Sequence, residues 1–134
     1  MIKRIHHVAI VVKNLDEALQ VYDNMFGAKP SKIETIPDQG VKAALLPLAE
    51  GGEIELLEPI DPDSGVAKFL ENRGEGIHHI CLEVDDIDKE LCSLAEKGCK
   101  LIDKESRKGL AGQVGFIHPK STKGALIELA QCEE

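Results

Sequence analysis

The sequence predicts an α+β fold that is built from two copies of one βαβββ module. Two observations carry this prediction. Residues 6–12, His-His-Val-Ala-Ile-Val-Val, are matched 72 positions later by residues 78–84, His-His-Ile-Cys-Leu-Glu-Val. In each copy a later strand then places one acidic residue between aliphatic residues, at 54–56 and at 127–129. Self-similarity at a fixed offset is typical of an internal duplication.

Module one begins with a strand at residues 5–12, which are mostly apolar and β-branched. A helix follows, with Asn14 as its N-cap and Glu17 as the capping-box partner. Apolar residues recur at helical spacing as far as Gly27, which favours the end of the helix. Glycine-containing turns then separate three further strands. These strands are predicted at 31–36, 41–48 and 53–58.

Module two repeats the same order of elements. Residues 59–76 join the modules and include a short amphipathic helix. A strand at 77–84 follows, and then a helix that begins after Asp85 or Asp86 and stops at Gly98. The last three strands are predicted near 99–103, 113–118 and 125–131.

Length and composition indicate one globular domain, 1–134, with module one at about 1–58 and module two at about 77–134. The net charge of −8 argues against nucleic-acid binding, which usually requires a basic face. No apolar run is long enough to cross a bilayer, and neither a signal peptide nor a disulfide pattern is evident. We therefore expect a cytoplasmic protein without a membrane partner.

Two histidines and two glutamates occupy corresponding positions in the modules. The spacing is 48 residues from His7 to Glu55 and 49 residues from His79 to Glu128. Because side chains alternate along a strand, only one histidine of each His-His pair faces a given cavity, and alternation alone does not choose which. Two buried carboxylates would repel each other and lose solvation, and a divalent cation removes that cost. The pattern therefore predicts one metal ion held between the two halves.

Imidazole and carboxylate ligands together suit several metals, including Zn, Fe, Ni, Co and Mn. Two histidines and two glutamates leave positions for water or substrate on an octahedral ion. An open coordination position is typical of a catalytic metal rather than a structural one. The residues alone therefore favour a metal-dependent enzyme.

The segments Gly-x-His-His at 76–79 and His-Pro-Lys at 118–120 are the most specific of seven that carry a family resemblance. The other matching stretches lie at 5–10, 37–41, 55–59, 84–88 and 124–129. Across nearly its whole length the chain resembles the vicinal oxygen chelate superfamily of glyoxalases, bleomycin resistance proteins and extradiol dioxygenases. This resemblance implies that the paired modules form one cupped, eight-stranded mixed sheet around a metal site. Within the superfamily, the chain is most similar to the methylmalonyl-CoA epimerases.

The resemblance implies that His7, Glu55, His79 and Glu128 are the metal ligands. It implies one divalent ion, which is Co, Mn, Ni, Zn or Mg. Some epimerases have Gln where Glu55 stands. The implied reaction interconverts (2R)- and (2S)-methylmalonyl-CoA by a 1,1-proton transfer through an enolate, which a Lewis-acid metal stabilises. The implied partners are an acyl-CoA thioester substrate and a second copy of the chain in a homodimer.

A 1,1-proton transfer requires one base that removes the proton and a second acid that returns one on the opposite face. Glu128 is the candidate base in addition to its role as a ligand, and Asp38 is a candidate for the second group. Some family members carry an acidic residue at the position of Ala43, so this chain departs from their pattern. Glu83 shares the face of His79 by alternation and is a further option.

Three residues are candidate substrate contacts. Gln39 belongs to the family-like segment 37–41. Lys120 and Ser121 lie on a predicted turn between the last two strands, where a lysine can meet a phosphate or a carboxylate. His118 is expected near the mouth of the pocket, with no role assigned to it.

Three other functions are compatible with the same fold. A glyoxalase I-like lactoylglutathione lyase has the same ligand set and a related proton shuttle, but it acts on a glutathione hemithioacetal. An extradiol dioxygenase usually binds Fe(II) through two histidines and one carboxylate, so a second glutamate argues against it. A non-catalytic ligand-sequestering protein usually has aromatic pocket walls, whereas this chain has one Tyr, three Phe and no Trp.

Overall fold

The computed structural model describes residues 1–132, and the chain divides into two compact units. One unit comprises residues 7–78, and the other comprises residues 1–6 together with the chain from His79 onwards. In chain order the elements are β1 (Ile2–Val11), α1 (Leu15–Phe26), β2 (Lys32–Ile36), β3 (Val41–Pro47), β4 (Glu53–Pro59), α2 (Gly65–Arg73), β5 (Gly76–Val84), α3 (Ile87–Glu96), β6 (Arg107–Gly109), β7 (Gly112–Ile117) and β8 (Ile127–Cys132). The predicted fold class, two βαβββ modules with eight strands of mixed direction, is confirmed.

Module one orders its strands β2-β3-β4-β1. The strand β4 runs parallel to β1 and antiparallel to β3, and this register places Glu55 opposite both Ala9 and Leu45. Helix α1 covers the other face of the sheet, because alternate strand residues point towards it. The core under this helix consists of Val12, Leu15, Ala44, Leu46 and Leu56.

Helix α1 begins and ends where the sequence predicts. The side chain of Asn14 accepts a hydrogen bond from the backbone N–H of Glu17 at 2.9 Å. Gly27 follows the last turn in the left-handed conformation, which costs glycine little. The connecting helix α2 is also capped, since the hydroxyl of Ser64 accepts from the backbone N–H of Ala67.

Module two repeats this arrangement with the order β5-β8-β7-β6 and a parallel β5–β8 pair. Asp86 is the residue that caps α3, because its side chain accepts from the backbone N–H of Lys89. The helix ends at Glu96, two residues before Gly98. The core that α3 covers consists of Val84, Ile87, Leu91, Ile117 and Leu129.

The prediction of a strand near 99–103 is wrong. In this segment Leu101 makes an isolated bridge to Ile117, and the sixth strand is β6 instead. The backbone N–H groups of Ile102 and Asp103 both donate to the carbonyl of Phe116. The carboxylate of Asp103 in turn accepts from the Phe116 N–H at 2.9 Å. Because one residue of β7 receives these bonds, the segment cannot continue a regular ladder.

None of the helices among residues 1–132 is long and apolar enough to span a membrane.

Candidate metal and substrate site

Module one buries a histidine–glutamate pair on one face of its sheet. His7 and Glu55 are each no more than 6% exposed. The Nε2 atom of His7 lies 3.4 Å from Oε1 of Glu55. The register explains this contact, because Glu55 pairs with Ala9, which shares the face of His7 by alternation. Both residues are among the buried side chains whose donor atoms lie close enough together to hold a metal ion.

Module two repeats the pair at corresponding positions. The Nε2 atom of His79 lies 3.0 Å from Oε1 of Glu128, and both side chains are buried. Glu128 pairs with Cys81, just as Glu55 pairs with Ala9 in module one. The duplicated sequence therefore produces a duplicated half-site.

Sheet register separates the two histidines in each His-His pair, whereas burial separates them only in module two. His6 and His7 are both buried. In module two His79 is buried, whereas His78 is half-buried and packs edge-on against the ring of Phe69, with 5.0 Å between centroids. In each module the second histidine is the one that lies beside the glutamate of its own parallel strand pair.

The donor chemistry of both pairs fits a divalent metal ion. Each pair offers one imidazole nitrogen and one carboxylate oxygen, which are ligands for Zn, Mn, Co and related ions. Burial of a carboxylate is costly unless hydrogen bonds or a cation offset the lost hydration. A metal bound through the imidazole and the carboxylate oxygens of a pair would supply that charge. The superfamily that the sequence resembles often binds such a divalent ion.

The half-site of module two, His79 with Glu128, is enclosed by an aromatic ring and by small apolar side chains. Phe116 pairs with Glu128 on the adjacent strand, and its ring meets the imidazole of His79 edge-on at 5.2 Å. This contact fixes the orientation of the His79 ring. The floor of the same face is apolar and small, since it consists of Cys81, Val114 and Ala130 with Ala111 beside them.

The candidates for the second acid lie in different surroundings. Ala43 is fully buried and pairs with Leu57, so it lies on the face that carries Glu55. Asp38 is exposed on a 3-10 turn, Pro37–Gln39, in which Gln39 is half-buried. The face that carries Glu55 therefore has an alanine at position 43, and the acidic side chain of Asp38 lies on the turn that precedes β3.

Glu83 is held in an ion pair. The Nε atom of Arg4 donates to its Oε1 at 2.8 Å, and Nζ of Lys3 lies 3.5 Å from Oε2. The hydrogen bond from Arg4, aided by the charges of Arg4 and Lys3, lowers the pKa of Glu83 below its ordinary value, against the opposing effect of burial. A carboxylate stabilised in this way is a weaker base, which disfavours Glu83 as a proton acceptor.

The turn that carries Lys120 and Ser121 is braced by its own side chains. Nδ1 of His118 accepts from the backbone N–H of Lys120 at 3.0 Å. The hydroxyl of Ser121 accepts from the backbone N–H of Lys100 at 2.7 Å. Lys120 and Ser121 are both exposed. His118 therefore has a structural role that sequence reasoning did not assign.

Sequence reasoning also missed Phe116 and Arg107. Their relation to the half-site depends on how β6, β7 and β8 pair, and three-residue β6 gives little periodic signal. The Arg107-Lys108 dipeptide has the composition of an ordinary charged surface.

Comparison with known proteins identifies the family. The model of the glyoxalase/bleomycin resistance protein/dioxygenase superfamily matches residues 6–117. The human mitochondrial methylmalonyl-CoA epimerase is 39% identical over 130 residues, which cover 96% of this chain and 73% of that protein. The chain belongs to the methylmalonyl-CoA epimerase family of this superfamily. The resemblance expected from the sequence is thereby confirmed.

Two further relatives of the epimerase family match at least 98% of the chain. The ethylmalonyl-CoA/methylmalonyl-CoA epimerase of Cereibacter sphaeroides is 42% identical over 134 residues, with 98% of this chain and 99% of that protein covered. A variant of the Streptomyces coelicolor methylmalonyl-CoA epimerase was solved in complex with 2-nitronate-propionyl-CoA. Its structure matches with a TM-score of 0.94 at 34% identity, and the match covers 100% of both chains.

Proposed function

We propose that this protein is a metal-dependent isomerase that interconverts (2R)- and (2S)-methylmalonyl-CoA. The observation that carries the proposal is the buried His–Glu pair that each module forms at corresponding positions, His7 with Glu55 and His79 with Glu128. Relatives of this chain are named methylmalonyl-CoA epimerase and ethylmalonyl-CoA/methylmalonyl-CoA epimerase. All four side chains bind one divalent ion, which is Co, Mn, Ni, Zn or Mg. Because the ligands come from both modules, residues 1–134 act as a single functional domain.

The proposed reaction begins with loss of the proton at the substrate's second carbon, which lies between a thioester and a carboxylate. A bound divalent metal supplies Lewis-acid stabilisation of the negative charge that develops on the thioester oxygen. The carboxylate of Glu128 takes the proton from one face of the carbon. Its burial beside Cys81 and Phe116 supports this role, because exclusion of bulk water limits loss of the proton to solvent.

A second acid returns a proton to the opposite face and completes the inversion. We assign this step to Asp38, since Ala43 offers no acidic group where some family members have one. Asp38 lies on the turn that leads into β3, and Gln39 beside it contacts the substrate. Lys120 and Ser121 contact the phosphates or the carboxylate of the acyl-CoA from the braced turn of module two.

We further propose that the protein acts in the cytoplasm as a homodimer. Within residues 1–132, which include all four cysteines, no disulfide is formed, and this agrees with a reducing compartment. Helix α1 exposes Val21, Met25 and Phe26, and exposed apolar groups of this kind favour association with a second copy. Light scattering during size-exclusion chromatography tests the dimer directly, with a mass of one chain as the contrary result.

The activity is tested with metal-stripped protein to which Co²⁺ or Mn²⁺ is added before incubation with (2R)-methylmalonyl-CoA in deuterated water. We expect metal-dependent uptake of deuterium at the second carbon together with formation of the other epimer. Protein without added metal is the matched control. If the metal binds but exchange stays at the spontaneous rate, the epimerase proposal is wrong. The hemithioacetal of glutathione and methylglyoxal then tests the glyoxalase alternative.

A further inference from the structure

We infer that Arg107 binds the free carboxylate of the acyl-CoA substrate and so selects malonyl-type thioesters over simple acyl thioesters. This inference rests on the proposed function, which it deepens by naming the residue that recognises the acid group. The evidence lies within one compact unit of the chain, and it concerns the edge strand β6 and its neighbours.

The sheet register puts Arg107 on the face of the candidate metal half-site. Arg107 pairs with Val114 on β7. Two residues further along β7, on the same face by alternation, Phe116 pairs with Glu128. Val114 also belongs to the small apolar floor that contains Cys81. Arg107 is therefore the cationic side chain that the β6–β7 pairing adds to this face.

The guanidinium of Arg107 is held above an aromatic ring rather than extended into solvent. Its Cζ atom lies 5.7 Å from the centroid of Phe116, and the Phe116 ring contacts His79 edge-on at 5.2 Å. The Arg107 side chain is only 34% exposed. The cation–π contact and the partial burial position the charge close to a ligand candidate and lower the entropy lost on binding.

The remaining contacts of Arg107 leave its carboxylate-binding edge available. Asp103 approaches Nε, with 3.4 Å to its Oδ1 atom, and is itself fixed by the backbone N–H of Phe116. Within residues 1–132, the two terminal Nη groups of Arg107 donate no hydrogen bond, and its ion pair with Asp103 is through Nε. Paired N–H donors in a planar fork match a carboxylate bidentately, which a lysine cannot do.

Lys108 provides a matched control on the next position of the same strand. It pairs with Gln113, is exposed, and points to the opposite face of the sheet. Loss of its charge changes the net charge of the protein as much as loss of Arg107 does. Any effect specific to Arg107 therefore reflects its position and not the overall charge.

The test measures binding by calorimetry for two ligands that differ in one acid group, malonyl-CoA and propionyl-CoA, with equal metal content in every variant. For Arg107→Gln we expect the affinity for malonyl-CoA to fall roughly 10- to 100-fold, as for loss of charge-assisted hydrogen bonds. Affinity for propionyl-CoA should change less than about 3-fold. Arg107→Lys should recover only part of the loss, and Lys108→Gln should bind both ligands like the wild type.

Three results would overturn the inference. These are an unchanged affinity of Arg107→Gln for malonyl-CoA, an equal loss for both ligands, and a wild type that does not prefer malonyl-CoA. An equal loss with a normal melting temperature would instead assign Arg107 to the coenzyme portion. Because binding is measured without turnover, the outcome is separate from the deuterium-exchange test. Selective binding without exchange would contradict only the epimerase proposal.

Discussion

The carboxylate of Glu58 accepts a hydrogen bond from the backbone N–H of Leu15, with 2.6 Å between oxygen and nitrogen. The amide oxygen of Gln131 accepts from the N–H of Ile87 at 3.0 Å in the same way. Each acceptor stands three residues after the glutamate of its half-site, and each donor is the first residue of its module's helix. In both modules one side chain thus joins the helix to the strand that carries a candidate ligand.

The effect of replacing Glu58 on the free energy of unfolding should depend on whether the new side chain can still accept the hydrogen bond from the Leu15 N–H. We expect Glu58→Ala to lower the free energy of unfolding by about 1–2 kcal/mol, because a helix-start N–H loses its partner. Glu58→Gln should cost less than about 0.5 kcal/mol, since Gln131 already makes the equivalent bond with an amide. Urea unfolding curves with equal slopes measure both changes. Equal losses in the two variants would show that the bond is not the cause.

The two glutamates of the candidate site should differ in what they contribute to catalysis. We expect Glu128→Gln to slow deuterium exchange roughly 10²- to 10⁴-fold, because the base is lost. Glu55→Gln should retain more activity, since a carboxamide oxygen can still ligate and some epimerases carry Gln at this position. Metal content is measured on the same samples. Normal metal binding with full exchange in Glu128→Gln would exclude Glu128 as the base.

The Arg4–Glu83 ion pair should make a small, pH-dependent contribution to stability. Arg4 lowers the pKa of Glu83 in the folded state below the ordinary value of 4.5, so the pair stabilises the fold above that pH. The contribution disappears as the pH falls through the lowered pKa. It should not exceed about 1 kcal/mol, because the Arg4 side chain is half-exposed.

Urea unfolding of the wild type and of Glu83→Gln between pH 7 and pH 3 measures this contribution. The difference between the two proteins should be largest near neutral pH and should shrink below pH 4.5. Glu50→Gln, a change in an exposed turn, serves as the control. A difference between Glu83→Gln and the wild type that grows towards acid pH would contradict the assignment.

Two glycines with nearly equal backbone angles should respond differently to alanine. Gly40 has φ of +66° and Gly27 has φ of +64°, so both substitutions force a left-handed alanine at roughly 1 kcal/mol. A methyl group at Gly40 would also lie 2.8 Å from Cβ of Asp61 and 2.9 Å from Cβ of Ser64, whereas the space beside Gly27 is open. We expect Gly40→Ala to be the more destabilising by at least about 1 kcal/mol in thermal melts. Equal melting temperatures would be the contrary result.

The sequence predicted correctly those elements in which apolar periodicity, helix caps and turn residues all indicate the same structure. The cap at Asn14 and the stop at Gly27 act within one helix, so their effect does not depend on distant contacts. Strand alternation likewise limited the ligand candidates to one histidine of each pair. The choice between them needed the register of β1 with β4, which depends on contacts 46 residues apart along the chain.

The prediction failed where side chains interrupt the backbone pattern. Leu101 and Ile102 give residues 99–103 an apolar, strand-like composition. The bonds of Asp103 to Phe116 decide the conformation instead, and a polar side chain in that role leaves no periodic signal. For a related reason, the sequence gives no signal for the face that Arg107 occupies, because only the pairing of β6 with Val114 shows it.

The division of β1 between the two units bears on the order in which the fold is completed during synthesis. Lys3 and Arg4 pair with Glu83, which leaves the ribosome about 80 residues after them. The His7–Glu55 pair needs only strands of module one, so it can form while Glu83 is still being translated. The first residues of the chain thus reach these acidic partners only after about 80 further residues have been translated, later than the pairing of β1 with β4 can begin.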